Sequence, residues 1–164
     1  MESISLLTSL FAIAISLLAL FWSRKQYLLD SEIKMRQELS SFILLAQRLD
    51  DSFYLMERER NKTGIPMDDG ELAIFERHKE MLGVVDETRD ELKSLLEKEN
   101  LKYDKMLMNH LFILKSHSEG IIEWCERRFD RFSKFNENKI VEMKEKVEEM
   151  QEIAKFVTEN YSNK

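Results

Sequence analysis

From Ser3 to Ser23 the chain carries no charged residue, and this run constrains the fold more than any other feature of the sequence. At 1.5 Å per helical residue it reaches roughly 30 Å, about the thickness of a bilayer's hydrocarbon core. It stops at Arg24-Lys25, with Phe21 and Trp22 at the boundary, where aromatic residues mark a membrane interface. A cleaved signal peptide would want a basic start, a shorter apolar core and small residues at the cleavage site. Here the start is Met1-Glu2 and the run ends in Leu20-Phe21-Trp22. A buried core helix seldom runs so far without a charge. The run therefore predicts an uncleaved transmembrane helix, with residues 1–23 as the anchor. Arg24, Lys25, Lys34 and Arg36 all lie on its C-terminal side. The positive-inside rule then predicts a single-pass protein of the cell (inner) membrane, N-terminus outside and the rest of the chain in the cytoplasm.

Small and polar residues inside the run are ordered. Ser5, Ser9, Ala12, Ser16, Ala19 and Ser23 follow at spacings of four, three, four, three and four, which places them on one narrow helical stripe. Lipid supplies no hydrophobic gain for pairing apolar helices, so association there relies on close backbone approach and hydroxyl hydrogen bonds. The stripe is thus a candidate seam for a homo-oligomer or for another membrane protein. The plainer reading is that each hydroxyl bonds its own preceding turn.

About 140 residues follow the run, enough for one domain with a core. With one proline and four glycines among 164 residues, helix is favoured almost everywhere. A formal charge of −6 argues against a nucleic-acid binder, because counterion release needs a basic surface. A single cysteine, Cys125, excludes an intramolecular disulfide.

The apolar pattern after the run divides into four helices. The first continues from the membrane through a juxtamembrane stalk, residues 24–34, to about residue 62, with a heptad seam of Met35, Leu39, Phe42, Ala46, Leu49, Phe53 and Met56. Asn61 to Gly70 contains both Gly and Pro and breaks it. Asp68 and Glu71 then resemble a capping box. A second helix over 69–99 has Ile74, His78, Met81, Val85, Thr88, Leu92 and Leu95 on one face. A third, 103–135, has Leu107, Leu111, Leu114, Ser118, Ile121, Cys125, Phe132 and Phe135. A fourth, 138–161, has Ile140, Val147, Met150, Ala154, Val157 and Tyr161. Short connections predict an all-α, antiparallel up-down-up-down four-helix bundle over residues 35–164. That topology turns the second connection, near Asn100, and the C-terminus toward the bilayer.

No catalytic, cofactor or metal motif stands out. Di-metal bundles use Glu-x-x-His pairs, and the residues three before His78, His110 and His117 are Phe75, Leu107 and Leu114. Cys125 lies between carboxylates, on the core face, where its thiol is disfavoured as a nucleophile. Basic and aromatic residues interleave from Arg127 to Phe135. Arg127, Arg131 and Lys134 form a candidate patch for a cytoplasmic protein partner, although cations in a helix's last turns also suit its dipole. The expected function is a membrane-tethered interaction or scaffold module without enzymatic activity or a small-molecule substrate. The alternative is a membrane-perturbing or pore-forming effector whose assembly the bundle controls.

Overall fold

The structure, a computed structural model, describes the backbone of residues 2–64, 67–99, 101–127 and 137–161, and the side chains in those ranges apart from residues 2–10, 137 and 139. The described residues form four helices and no strand: α1 (Glu2–Thr63), α2 (Asp69–Glu97), α3 (Lys105–Glu126) and α4 (Glu137–Tyr161). The sequence explains where they begin and end. α1 runs 62 residues because neither Gly nor Pro interrupts it. It stops at Gly64, whose φ of 65° is the left-handed conformation that closes helices and that a side chain disfavours. α2 opens on the capping box: Asp68 accepts from the Glu71 N–H at 2.7 Å, and Glu71 accepts from the Asp68 N–H at 3.2 Å. Asp104 caps α3 by accepting from the N–H groups of Met106 and Leu107. The expected continuation of α3 to residue 135, with Phe132 and Phe135, lies outside the described residues.

Seam residues on α1, α2 and α3 form the core. Met35, Leu39, Phe42, Ala46 and Leu49 are fully buried, as are Val85, Leu92, Leu107 and Leu114. On α4 the buried positions are Met143, Val147, Met150, Ile153 and Val157, whereas Ile140, Ala154 and Tyr161 are half-buried. Three polar residues are buried among the described ones: His78, Thr88 and Ser118. The Thr88 hydroxyl donates to the Val84 carbonyl at 2.7 Å, and Ser118 is fully buried with no partner for its hydroxyl among the described residues.

Cross-helix contacts give the directions. Arg36 reaches the carbonyls at the end of α2, and Phe53 lies 5.3 Å from Phe75 near its start, so α1 and α2 are antiparallel. Glu38 pairs with Lys115 and Arg48 with Glu126, so α1 and α3 run parallel. His110 meets Phe156 and His117 meets Glu149, so α3 and α4 are antiparallel. The chain thus alternates direction, but the closest-packed pairs are the parallel ones, α1 with α3 and α2 with α4. Among the described residues α1 and α4 do not approach each other, and α2 and α3 touch only across the diagonal. Short connections alone suggest sequential neighbours. The seven residues from Lys98 to Asp104 instead bridge the diagonal, which an extended connection reaching roughly 20 Å spans easily.

Candidate functional site

α1 is two objects in one helix. Every described residue from Phe11 to Asp30 is exposed, and the first buried one is Met35. The exposed part is apolar on nearly all sides: Phe11 is 72% exposed, Leu20 68% and Phe21 66%. A helix hydrophobic all round is stable only when something covers it. Among the described residues, no helix is long and apolar enough to cross a membrane. Side-chain description begins at Phe11, which leaves 13 residues of the run up to Ser23, short of the roughly 20 that a span takes. At the end of the run Lys25 Nζ stands 5.7 Å from the centre of the Trp22 ring, an aromatic and basic pairing suited to an interface.

Ala12, Ser16, Ala19 and Ser23 are exposed, while the side chains of Ser5 and Ser9 lie outside the described residues. The Ser16 hydroxyl donates to the Ala12 carbonyl at 2.8 Å. Continued at the same alternating spacing, the stripe passes through Gln26, Asp30, Ile33, Gln37, Ser40 and Leu44, all exposed. Met35, Leu39 and Phe42 are offset from this line by two residues, about 200° around the helix. The stripe therefore prolongs the α1 face opposite the bundle.

The bundle end next to this segment is tied together by two polar clusters. Arg36 donates to Leu96 O and Lys98 O, each at 2.6 Å, and to Glu32 Oε1 at 2.9 and 3.1 Å. The last carbonyls of α2 have no partner within their helix, and a guanidinium both satisfies them and suits the negative end of the helix dipole. The sequence marks Arg36 only as one of the flanking cations, because a long-range carbonyl contact leaves no local signal. In the second cluster Asp104, already capping α3, also accepts from the Tyr161 hydroxyl of α4. Burial alone would raise Asp104, but the bonds from Tyr161, Leu107 and Met106 outweigh it and hold its carboxyl below the usual range.

Farther along the α1–α2 contact, Arg89 gathers three carboxylates: Asp50 at 2.5 Å, Asp86 at 2.8 Å and Asp90 at 3.3 Å. Burial, then the nearby Asp50 carboxylate, push Asp86 from 3.8 to about 6, against the pull of Arg89. The only sequence hint is that Asp50 adjoins Leu49 and Arg89 adjoins Thr88, both seam positions. A carboxyl with a raised folded-state pKa binds its proton more tightly folded than unfolded. Stability is accordingly gained as pH falls from neutral through about 6 toward 4, and lost as pH rises through 6. Thermal unfolding followed at steps between pH 7.5 and 5 is expected to show this rise in midpoint on acidification. Asp86→Asn is expected to flatten it and to raise the midpoint at neutral pH; an unchanged profile would contradict the assignment.

The remaining candidates are not brought together. Arg127 pairs with Glu123 one turn earlier on α3, and Arg131 and Lys134 lie outside the described residues. Cys125 is buried, and burial, then Glu126, push its thiol up to about 12. His78 stacks on Trp124, with ring centres 4.1 Å apart. Among the described residues no group of three or more His, Cys, Asp or Glu could hold a metal ion. The geometry defines the chain as an all-helical protein whose first helix projects, apolar and uncovered, from a four-helix bundle. No family model, curated protein or solved structure matches it.

Proposed function

We propose that the protein is a membrane-tethered helical interaction module. In this reading residues 1–23 span the inner membrane, the bundle lies in the cytoplasm, and the chain self-associates through α1 while the end of the bundle far from the membrane recruits or senses a protein partner. The observation that carries the proposal is the projecting, all-round apolar part of α1, continuous with a helix of the bundle. Covering it with lipid removes the cost of exposing those side chains to water. The stripe favours self-association because it lies on the side of α1 away from the bundle, so two chains can bring their stripes together without their bundles colliding. The bond from Ser16 to its own turn suits a dry seam, since the hydroxyl needs no water.

Ser9→Leu with Ser16→Leu tests the seam. Wild-type protein in mild detergent is expected to elute as an oligomer, and the double variant as a monomer with unchanged helix content. A monomeric wild type would remove the self-association reading, and with it a pore built from several copies. An effector would also collapse the membrane potential on overexpression, as a voltage-sensitive dye reports, whereas a tether leaves it intact.

A further inference from the structure

We propose that the rim of the bundle nearest the membrane is itself a lipid-binding surface, with Lys98, Lys102 and Lys105 meeting anionic headgroups and Tyr103 and Met106 entering the interfacial layer; the inference rests on the membrane-span reading of α1. Helix register carries it. The ion pairs Glu38–Lys115 and Arg48–Glu126 set α3 alongside α1 with offsets of 77 and 78 residues. Counting back along this parallel pair brings Met106 level with Leu28 and Leu29. That is only five or six residues past Ser23, roughly 8 to 9 Å at 1.5 Å per residue. Headgroup layers occupy about 5 to 7 Å on each side of the hydrocarbon core. A stalk long enough to hold the bundle clear of the surface is therefore absent on the α3 side.

The chemistry of the rim matches that location. Tyr103 and Met106 are 41% and 56% exposed, and Tyr27, Leu28, Leu29 and Ile33 of α1 are at least half exposed at the same level. Lys98, Lys102 and Lys105 are exposed, and no ion pair within the described residues engages them. Acidic residues are present as well. Glu97 and Glu99 share the connection and Asp30 is exposed on α1, but Glu32 is held by Arg36, Glu159 faces Lys155 at 3.9 Å, and Asp104 is held by the α3 cap and Tyr161. Residues 24–36, 97–106 and 155–161 together hold eight Lys and Arg against six Asp and Glu, whereas the whole chain holds 25 against 31. The rim is therefore net positive on a chain that is elsewhere strongly negative. This polarity draws one end of the bundle to an anionic surface and repels the other.

The test uses the full chain in nanodiscs of phosphatidylcholine, with or without phosphatidylglycerol. A polarity-sensitive fluorophore is placed at Tyr103→Cys or, as a marker of the span, at Leu18→Cys; buried Cys125 does not compete for the label. The label at 103 is expected to shift to the blue and to resist an aqueous quencher only when phosphatidylglycerol is present. Lys98→Glu, Lys102→Glu and Lys105→Glu together are expected to abolish that protection. Loss of three lysine contacts to an anionic surface lowers the docked population by on the order of a hundredfold. A label at 18 shielded in both lipids, with 103 open in both, overturns the seating while sparing the span. A label at 18 open to quencher overturns both. Protection at 103 that ignores the charge reversal, or that grows with the number of chains per disc, also overturns the seating, the latter in favour of a second copy.

Discussion

Ile13→Arg combined with Leu17→Arg is expected to transfer the protein from the carbonate-resistant membrane pellet to the soluble fraction. An arginine near the centre of a membrane helix costs about 2.5 to 3.5 kcal/mol for insertion, so two cost roughly 5 to 7 kcal/mol. That is on the order of a ten-thousandfold change in partition, the largest effect expected of any substitution in this chain. The bundle should be untouched, since Ile13 and Leu17 are exposed and lie far from Met35, the first buried residue of α1. The thermal midpoint of the released variant should thus match that of the wild type. Wild-type protein that carbonate already releases, or a double variant that stays in the pellet, would refute the membrane span. An Arg pair at exposed bundle positions such as Tyr54 and Phe112 is the control, and it should leave the protein in the pellet.

The second large effect lies in the core. Phe42 is fully buried, at the middle of the α1 seam. Truncation to Ala removes the burial of the ring and leaves a cavity, together costing about 3 to 5 kcal/mol. Domains of this size are stable by only about 5 to 15 kcal/mol, so Phe42→Ala consumes roughly a fifth or more of the total. In detergent, melting followed by circular dichroism should drop by about 10 to 20 °C. Phe112, on α3, is 74% exposed, and Phe112→Ala should stay within about 0.5 kcal/mol of wild type. Equal losses for the two would mean that the α1 seam does not anchor the core.

The candidate sites were legible to different depths. Spacing alone marks the stripe from Ser5 to Ser23, because a helical face is a local property. That the stripe lies opposite the bundle follows only once Met35, Leu39 and Phe42 are seen to be buried. The lysines at 98, 102 and 105 look unremarkable in a chain with 25 basic residues. They form a rim only because α3 lies parallel to α1 at a register that returns Met106 to the level of Leu29. Of the patch of Arg127, Arg131 and Lys134, Arg127 pairs with Glu123 of its own helix, and the other two lie outside the described residues.

By itself the sequence determined where α1 ends and α2 begins, and which faces of α1 and α2 turn inward. Both depend on interactions a few residues apart: the 3.6-residue period of the seams, the Asp68–Glu71 cap and the break at Gly64. Only the tertiary structure decided which helices are neighbours. Asp50 meets Arg89 across 39 residues and Glu38 meets Lys115 across 77. Nothing in the local pattern distinguishes the parallel pairing of α1 with α3 from a sequential arrangement, because seams of the same period fit either. The choice rests on side-chain packing and on a connection long enough to cross the bundle, and that choice brings the α3 start back toward the exposed apolar part of α1.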